Sequence, residues 1–301
     1  MLSEDLKKIR DLQVREDVPL LPLTSFRIGG PAHLFLVPGS LKALEQTISY
    51  LSNRYIPYKV LGRGSNLLIS DKGVKIVMSL AALNSIHSSP RGHFLKTVSV
   101  GAGCRLDSFV SWSIRNGLSG LENLSGIPAS IGGAIAMNAG TNKFSMSEAI
   151  EAVQFTGPDG SCWLRRDRLQ FDYRSLRLPD RAIISAARIQ LCKADPDRIR
   201  RRVKRVMLKR RATQPAGEPS AGCIFRNPPG DSAGRLIDRC GLKGLRIGDA
   251  EISKRHANFI VNCGKASALQ VVDLLKIIRE RVQKETGIKL VPEVSVWGME
   301  T

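Results

Sequence analysis

The sequence predicts an α+β fold. Short apolar runs rich in β-branched residues, which are typical of strands, are interspersed with helical patterns in two blocks of the 301-residue chain. Strands and helices do not alternate regularly, as they do in a parallel α/β sheet. A chain of this length can bury a sizeable core, and we expect two or three domains.

The first block contains most of the predicted strands. Residues 1–20 are polar and predict a short helix and a linker. The spacing of apolar residues predicts helices at 41–51 and 105–116. Strands are predicted at 33–37, 58–61, 66–70, 75–78, 95–100, 152–155, 162–165 and 182–191.

The second block begins with a strongly basic helix, predicted at 198–211 from apolar residues at positions 199, 203, 206 and 207. Residues 215–248 are rich in Gly, Pro and Asn and predict irregular structure. A strand at 259–261, a helix at 266–286 that ends at Gly287, and a last strand at 289–291 follow. The long helix is predicted to bury one apolar stripe, made of Leu269, Val272, Leu275, Ile278 and Val282.

The formal net charge of +19 implies anionic partners, which are nucleic acid, an anionic membrane surface or phosphorylated small molecules. Three interpretations of the basic helix stay open: a solvated face, a phosphate-binding C-terminal end, or a nucleic-acid surface. The aromatic residues that would stack on single-stranded nucleic acid are absent from 198–211.

Cysteine and histidine spacing predicts no metal site, because none of the six cysteines forms C-x-x-C and the four histidines are dispersed. The N-terminal residues lack the apolar segment of a secretory signal. We therefore expect a cytoplasmic protein with reduced cysteines and no membrane insertion.

Three glycine-bearing turns, at 27–31, 62–66 and 126–140, predict a phosphate-binding function. Each places backbone N–H groups, with a nearby Arg, Ser or Asn, where a diphosphate could sit. The Walker and Rossmann glycine patterns are absent from the 126–140 segment. The structural alternative is a set of tight turns between strands. Three such turns in one block favour a dinucleotide that lies across two subdomains.

Candidate catalytic side chains occur at three places along the chain. Cys223, Arg226 and Asn227 lie within one short run between two prolines. Arg174 stands beside Tyr173, and Glu293 lies near the C-terminus. Taken singly, each is better explained by a structural role, as a structural Cys, a surface Arg and a strand-end Glu. Sequence spacing leaves open whether they meet.

Seven runs of the sequence resemble one enzyme family. They are TSFRIGGPA at 24–32, LGRGSNLL at 61–68, the segment 126–140, YRS at 173–175, AGCIFRNP at 221–228, HANFI at 256–260 and PEV at 292–294. In this order they are similar to UDP-N-acetylenolpyruvoylglucosamine reductase, also called UDP-N-acetylmuramate dehydrogenase, over about residues 20–296. The short segment after Arg174 resembles the branch that lacks an extra substrate-capping loop.

The resemblance implies a two-subdomain FAD-binding fold of the vanillyl-alcohol-oxidase type, followed by an α+β substrate domain. The implied domains are 1–80 and 81–197 for FAD and 198–301 for the substrate, with the last few residues able to pack back on subdomain 1. The implied FAD contacts are Arg27, Gly62, Arg63, Gly64, Ser65, Asn66, Leu67, Gly126, Pro128, Ala129, Gly132, Gly133, Asn138, Ala139 and Gly140.

The family reaction passes a hydride from NADPH through FAD to an enolpyruvyl ether of a UDP-sugar, and a general acid then protonates the enol. By motif position, Arg174 is expected to stabilise the developing negative charge, and Glu293 to hydrogen-bond or help protonate the enol. The implied substrate contacts are Arg226, Asn227, Tyr173, Lys209 and Arg211.

The proton-donor position, usually Ser in the family, is Cys223 here. A free thiol, with a pKa of about 8.5, is mostly protonated near neutral pH and can serve as the acid. Two other departures are Asp249, where a small residue is expected, and Gln214, where relatives can offer a Lys to the substrate phosphates. The first bears on loop shape, and the second would shift phosphate contacts to Arg226 or the basic helix.

Two alternatives to this reductase remain. Another FAD-linked oxidase or dehydrogenase on the same scaffold would explain the glycine turns. A non-enzymatic nucleic-acid-binding protein would explain only the basic charge, and its binding would fall steeply with salt. The resemblance favours the reductase, which is expected to be a monomer that binds a UDP-sugar and no nucleic acid.

Overall fold

The computed structural model describes residues 2–88, 94–141 and 144–299, and seven α-helices form within them. They are α1 (Leu2–Lys7), α2 (Leu41–Ser52), α3 (Leu106–Arg115), α4 (Ile131–Ala136), α5 (Pro196–Thr213), α6 (Ala233–Arg239) and α7 (Ala268–Thr286). The four long helices are those that the apolar spacing predicts. The predicted end of α7 is confirmed, because Gly287 takes a left-handed φ of 72° after the last turn.

The described residues also form nineteen strands or short strand segments. They are β1 (Leu12–Pro19), β2 (Pro31–Pro38), β3 (Lys59–Leu61), β4 (Leu67–Ile69), β5 (Val74–Ser79), β6 (Ile86–Ser88), β7 (Leu95–Gly101), β8 (Leu118–Ser119), β9 (Gly140–Thr141), β10 (Phe144–Ser145), β11 (Ile150–Gly157), β12 (Gly160–Arg165), β13 (Phe171–Asp172), β14 (Ser175–Leu176), β15 (Ile183–Lys193), β16 (Arg246–Ile247), β17 (Ala250–Ile252), β18 (Ile260–Asn262) and β19 (Ser295–Trp297).

Two predictions for the ends of the chain are wrong. Residues predicted as a linker form β1, an edge strand of the four-stranded sheet β1-β2-β5-β3, and edge strands commonly carry the charged residues that hide a strand signal. The strand predicted at 289–291 does not form. The last strand is β19 instead, which pairs in parallel with β4.

Two short helices, α4 and α6, fall in stretches where the sequence predicts no helix. Each has only six or seven residues and contains glycine, so its helical period is too short to recognise. The first turn of α4 is held by its N-cap, since Ser130 Oγ accepts a hydrogen bond from Gly133 N at 3.2 Å.

The chain packs as two compact units. Unit 1 consists of Met1–Glu16, Leu34–Arg63 and Ile76–Leu208, and unit 2 of Asp17–His33, Gly64–Lys75 and Lys209–Thr301. Because strands and helices are mixed in both units, the predicted α+β class is confirmed. The three domains implied by the family resemblance stay a prediction.

The core of unit 1 forms around a sheet in the order β12-β11-β15-β7-β6, with β8 also paired to β15. The neighbouring strands of this sheet are antiparallel. Buried side chains of the sheet and of α2, α3 and α4 share one hydrophobic cluster, which includes Phe109 and Phe155. This cluster gives α4 and the residues around it a rigid support.

The core of unit 2 forms between α6, α7 and the sheet β16-β17-β18. Four of the five residues in the predicted stripe of α7 are buried, whereas Leu269 is 61% exposed. The prediction for Leu269 is wrong because that position shares a face with Asp273 and Lys276 at helical spacing. The stripe is completed by Val271 and Leu274 instead.

Candidate functional site

Part of the 126–140 segment in unit 1 is built so that side chains are excluded from it. A Cβ at Gly62 would lie 2.6 Å from Ser130 Oγ, and one at Gly132 would lie 2.9 Å from Ala102 Cβ. Gly62 and Gly126 nevertheless reach the surface. The result is an exposed stretch of bare backbone on a rigid base, which a flat or polyanionic ligand can approach closely.

The backbone amides of α4 do not face outward, contrary to the expectation for this segment. Ile131 N donates to Cys104 O and Gly132 N to Ala102 O, each at 2.8 Å, and Ala134 N donates to Ser130 O. These donors are consumed in holding α4 against the core. At these three positions the expected phosphate-binding amides are therefore not available.

The turn at 62–66 offers the donors that α4 does not. Among the described residues, the amide N–H groups of Arg63, Gly64 and Ser65 have no hydrogen-bond acceptor. Gly64 has a φ of 63°, and successive N–H groups in such a turn form an anion-binding concavity. The exposed guanidinium of Arg63 adds positive charge.

One buried hydroxyl in unit 1 also lacks a partner. Ser125 Oγ is buried and makes no hydrogen bond within residues 2–88, 94–141 and 144–299. It precedes Gly126, which has a φ of 81°. Unpaired buried polar groups are uncommon in proteins and commonly mark a place where a ligand or water binds. Within unit 1, Ser125, the bare backbone around Gly62 and Gly132 and the free N–H of Arg63 fit a diphosphate-containing cofactor such as FAD.

Arg27, in unit 2, is held in a left-handed conformation with a φ of 54°. Asn262 Nδ2 donates to both Phe26 O and Arg27 O at 3.2 Å, which fixes the backbone on either side of the Phe26–Arg27 peptide bond. Strained non-glycine residues concentrate at functional sites, where the surrounding structure over-determines them. The Arg27 side chain is exposed, and its role toward FAD stays a prediction.

Arg174, in unit 1, occupies the second position of a two-residue hairpin turn between β13 and β14. It too is left-handed, with a φ of 61°, and its Nη1 donates to Gly140 O at 3.1 Å. The neighbouring Tyr173 is 52% exposed. Asn138, Tyr173 and Arg174 line a cavity of about 570 Å³ within unit 1. The structure thus brings the predicted catalytic cation next to the end of the 126–140 segment.

Cys223 and Arg226, in unit 2, belong to one extended stretch whose backbone is held by Asn258. Phe225 N donates to Asn258 Oδ1 at 2.9 Å, and Asn258 Nδ2 donates to Phe225 O at 2.8 Å. Ile224 N also donates to Asn258 O. Asn258 is 3% exposed, and sequence reasoning assigned it no role although it lies in the HANFI run. An Asn between Ala257 and Phe259, in the turn just before β18, is the available signal.

The opposite edge of this stretch binds the segment that carries Glu293. Glu293 N donates to Ile224 O at 2.7 Å, and Arg226 N donates to Val291 O at 2.9 Å. Asn66 Nδ2 donates to Glu293 O at 3.0 Å. Unit 2 therefore brings together the backbones of two predicted catalytic residues, Cys223 and Glu293, which are 70 positions apart in the sequence.

The predicted substrate contacts of unit 2 differ in their surroundings. Arg226 Nε is buried and makes no hydrogen bond in the described part of the chain. Asn227 Oδ1 accepts a hydrogen bond from Ala233 N at 3.0 Å, in the first turn of α6. Lys209 and Arg211 are exposed near the end of α5. Of these, Arg226 has the clearest need for a polar partner.

Asp249 is explained by its own hydrogen bonds. Its carboxylate accepts from Lys265 N at 2.8 Å and from Arg246 Nη2 at 2.6 Å, and these two bonds hold the pKa of Asp249 below its usual value. Asp249 therefore joins two neighbouring segments of unit 2 through its side chain.

Within the described residues, no group of three or more His, Cys, Asp or Glu side chains could hold a metal ion. No helix in the same residues is long and apolar enough to cross a membrane.

Known proteins match this chain along its length. Residues 32–164 match an FAD binding domain, and residues 214–297 match the C-terminal domain of UDP-N-acetylenolpyruvoylglucosamine reductase. Proteins of that name from Syntrophotalea carbinolica and Pseudothermotoga lettingae are 38% and 40% identical to this chain, respectively. The first alignment covers 99% of both chains, and the second covers 95% of this chain and 98% of the relative.

Solved structures agree with these matches. The UDP-N-acetylenolpyruvylglucosamine reductase of Thermus caldophilus is 41% identical, with a TM-score of 0.81 over 95% of this chain and 99% of its own. Physcomitrella patens BBE-like 1, at 13% identity and a TM-score of 0.50 over 64% of this chain and 44% of its own, shares the fold alone. The predicted FAD-binding fold of the vanillyl-alcohol-oxidase type is confirmed. The chain therefore belongs to the UDP-N-acetylenolpyruvoylglucosamine reductase family of flavin-binding oxidoreductases.

Proposed function

We propose that this protein reduces the enolpyruvyl ether of UDP-N-acetylglucosamine to UDP-N-acetylmuramate, with NADPH as the electron donor, in the synthesis of peptidoglycan precursors. The observation that carries the proposal is the pairing of the Cys223–Arg226 stretch with the Glu293 segment, in a chain 38% identical over 99% of its length to a relative of that name.

FAD would be held by the bare backbone around Gly62 and Gly132 and by the free N–H groups of the 62–66 turn. Negatively charged phosphates suit these donors and the guanidinium of Arg63. When bound, the flavin would supply to the enolpyruvyl β-carbon a hydride that comes from NADPH. Within unit 1, Ser125 Oγ offers one more donor for this cofactor.

Three residues of the chain act on the reacting atoms in this proposal. Arg174 stabilises the negative charge that develops on the substrate carboxylate and enol, since a fixed cation is most effective where water is excluded. Cys223 Sγ donates its proton to the α-carbon, and Glu293 hydrogen-bonds to the enol or assists that protonation. The clamp of Asn258 on Phe225 keeps the backbone beside Cys223 in one conformation.

The substrate and NADPH are both polyanions, so the net charge of +19 would attract both of them. A positive field raises the rate at which such molecules are captured. Arg226 supports binding of the sugar or its diphosphate, because its buried Nε has no partner among the described residues. Tyr173, Asn227, Lys209 and Arg211 complete the proposed contacts. We expect a cytoplasmic monomer.

The visible absorption spectrum of the purified protein tests the cofactor and the reaction together. We expect a yellow protein that bleaches with NADPH and recovers its colour anaerobically when the enolpyruvyl substrate is added. Recovery with unrelated acceptors but not with this substrate would instead support another flavin oxidase or dehydrogenase on the same scaffold. A colourless protein that takes up no FAD would refute the proposal.

The role of Cys223 is tested by two variants in the same assay. Cys223→Ser keeps a protic side chain and should remain active, whereas Cys223→Ala should fail at enol protonation. NADPH should still bleach the flavin in both variants, because neither change touches that step. Turnover of Cys223→Ala at the parental rate would show that the thiol is not the acid.

A further inference from the structure

Asn138 stands at the end of α4 and is held in a left-handed conformation, with a φ of 39°. Its side chain is 9% exposed and uses both of its polar atoms within unit 1. Nδ2 donates to Asp172 O at 3.0 Å, and Oδ1 accepts from Ser147 N at 3.1 Å. The side chain thus ties the hairpin β13–β14 to the residues that follow the 126–140 segment.

The hairpin needs such external support. It is short: Phe171 pairs with Leu176 and Asp172 with Ser175, and Arg177 N donates to Gln170 O at 3.0 Å beyond these pairs. A two-stranded hairpin on its own is marginally stable in water. Its turn also places Arg174 at a φ of 61°, a conformation that is unfavourable for a non-glycine residue. Two hydrogen bonds link this hairpin to the same segment: Asn138 Nδ2 donates to Asp172 O, and Arg174 Nη1 donates to Gly140 O.

We propose that Asn138 is a positioning residue for Arg174, which it places through the carbonyl of Asp172. This inference rests on the proposed role of Arg174 toward the substrate. The backbone of Asn138 keeps its predicted place beside the cofactor, while the amide side chain serves the hairpin. A shift of the turn by about 1 Å would displace the guanidinium and can cost as much as 100-fold in rate.

The experiment compares the two half-reactions in the FAD-loaded protein. Asn138→Asp has the same shape, keeps the acceptor for Ser147 N and tolerates a positive φ, but it loses the Nδ2 donor to Asp172 O. We expect recovery of flavin colour by the enolpyruvyl substrate to slow at least tenfold, within the range expected for a misplaced catalytic group. Bleaching by NADPH, measured with FAD at saturation, should slow less than recovery does, because only recovery depends on the placement of the Arg174 guanidinium.

Asn138→Gly is the second variant, because it permits the positive φ, removes both side-chain bonds and adds no charge. In this variant too, recovery of flavin colour by the substrate should slow more than bleaching by NADPH. Asn116→Asp is the matched control, since Asn116 Nδ2 also donates to a backbone carbonyl, that of Trp112 at 2.8 Å, on α3. Both half-reactions of this control should match those of the parent.

A double-mutant cycle separates the inference from the function on which it rests. In an Arg174→Lys background, Asn138→Asp should add little to the loss, because coupled residues are not additive. The inference would be overturned by any of three results in the Asn138 variants: equal slowing of both half-reactions, loss of FAD, or an unchanged recovery rate. Parental recovery in Arg174→Lys alone would instead refute the proposed role of Arg174.

Discussion

Replacing Asn258 with alanine removes the two side-chain hydrogen bonds that hold Phe225 in unit 2. Phe225 is 1% exposed, so water cannot readily replace them. Its N–H and C=O both bond to Asn258, at 2.9 and 2.8 Å. An unsatisfied buried polar group costs about 1–3 kcal/mol, so the two groups predict a loss of about 2–6 kcal/mol in the free energy of unfolding.

Urea unfolding, followed by circular dichroism on the FAD-loaded protein, measures this loss. Asn258→Asp is an informative second variant, because it keeps the acceptor for Phe225 N and removes only the donor to Phe225 O. Its carboxylate would be buried against Phe225 O without a cation, so its loss near neutral pH should be at least as large as that of Asn258→Ala. Asn53→Ala is the control, since Asn53 is exposed and its amide lies 3.5 Å from Ser49 Oγ. Exposed substitutions of this kind usually stay within about 0.5 kcal/mol of the parent.

A loss below about 0.5 kcal/mol in Asn258→Ala would refute this reasoning, because it would mean that neither backbone group of Phe225 is left unpaired. Activity gives an independent check. The clamp also sets the backbone between Cys223 and Arg226, so Asn258→Ala should slow recovery of flavin colour by the substrate more than it slows bleaching by NADPH.

Three further predictions concern stability. Gly64→Ala should destabilise the protein far more than Gly217→Ala. Both glycines have a positive φ, but only at Gly64 would the added Cβ meet a backbone atom, Leu23 O at 2.2 Å. Urea unfolding midpoints test this prediction, and equal losses in the two variants would contradict it. Burial lowers the pKa of His256 from 6.5, so the unfolded chain binds a proton there before the folded one does. The free energy of unfolding should therefore fall as the pH drops below about 6.5. Urea midpoints measured at about pH 7.5 and pH 5.5 should differ less in His256→Gln than in the parent. Glu122→Ala leaves the half-buried Ser119 hydroxyl and Gly120 amide without the buried carboxylate that they bond at 2.6 and 2.8 Å. That variant should lose about 2–4 kcal/mol by urea unfolding, and a change below about 0.5 kcal/mol would contradict this.

Local sequence was sufficient for the regular elements and for the family motifs. The apolar period located α2, α3, α5 and α7, and Gly287 marked the end of α7 because only a residue tolerant of positive φ fits there. Alternating apolar residues located the long strands of the unit 1 sheet. The ordered glycine, arginine and asparagine motifs were sufficient to indicate the family, since their spacing is carried by the chain itself.

Local sequence failed where the decisive neighbour is distant. Nothing near β1 indicates that it will pair as an edge strand. The amides of α4 were expected to be free, yet they bond to carbonyls of residues 102 and 104, which lie far from them in the sequence.

The chain by itself determined which residue types are present for the chemistry, and the tertiary structure decided which of them are held and how. Asn258 meets Phe225 across 33 positions, and Asn66 meets Glu293 across 227. Such bonds have no local period, because they depend on how separate elements pack and on the need of every buried polar group for a partner. That need, rather than any pattern along the chain, selected Asn138 and Asn258 as the supports of the proposed catalytic residues.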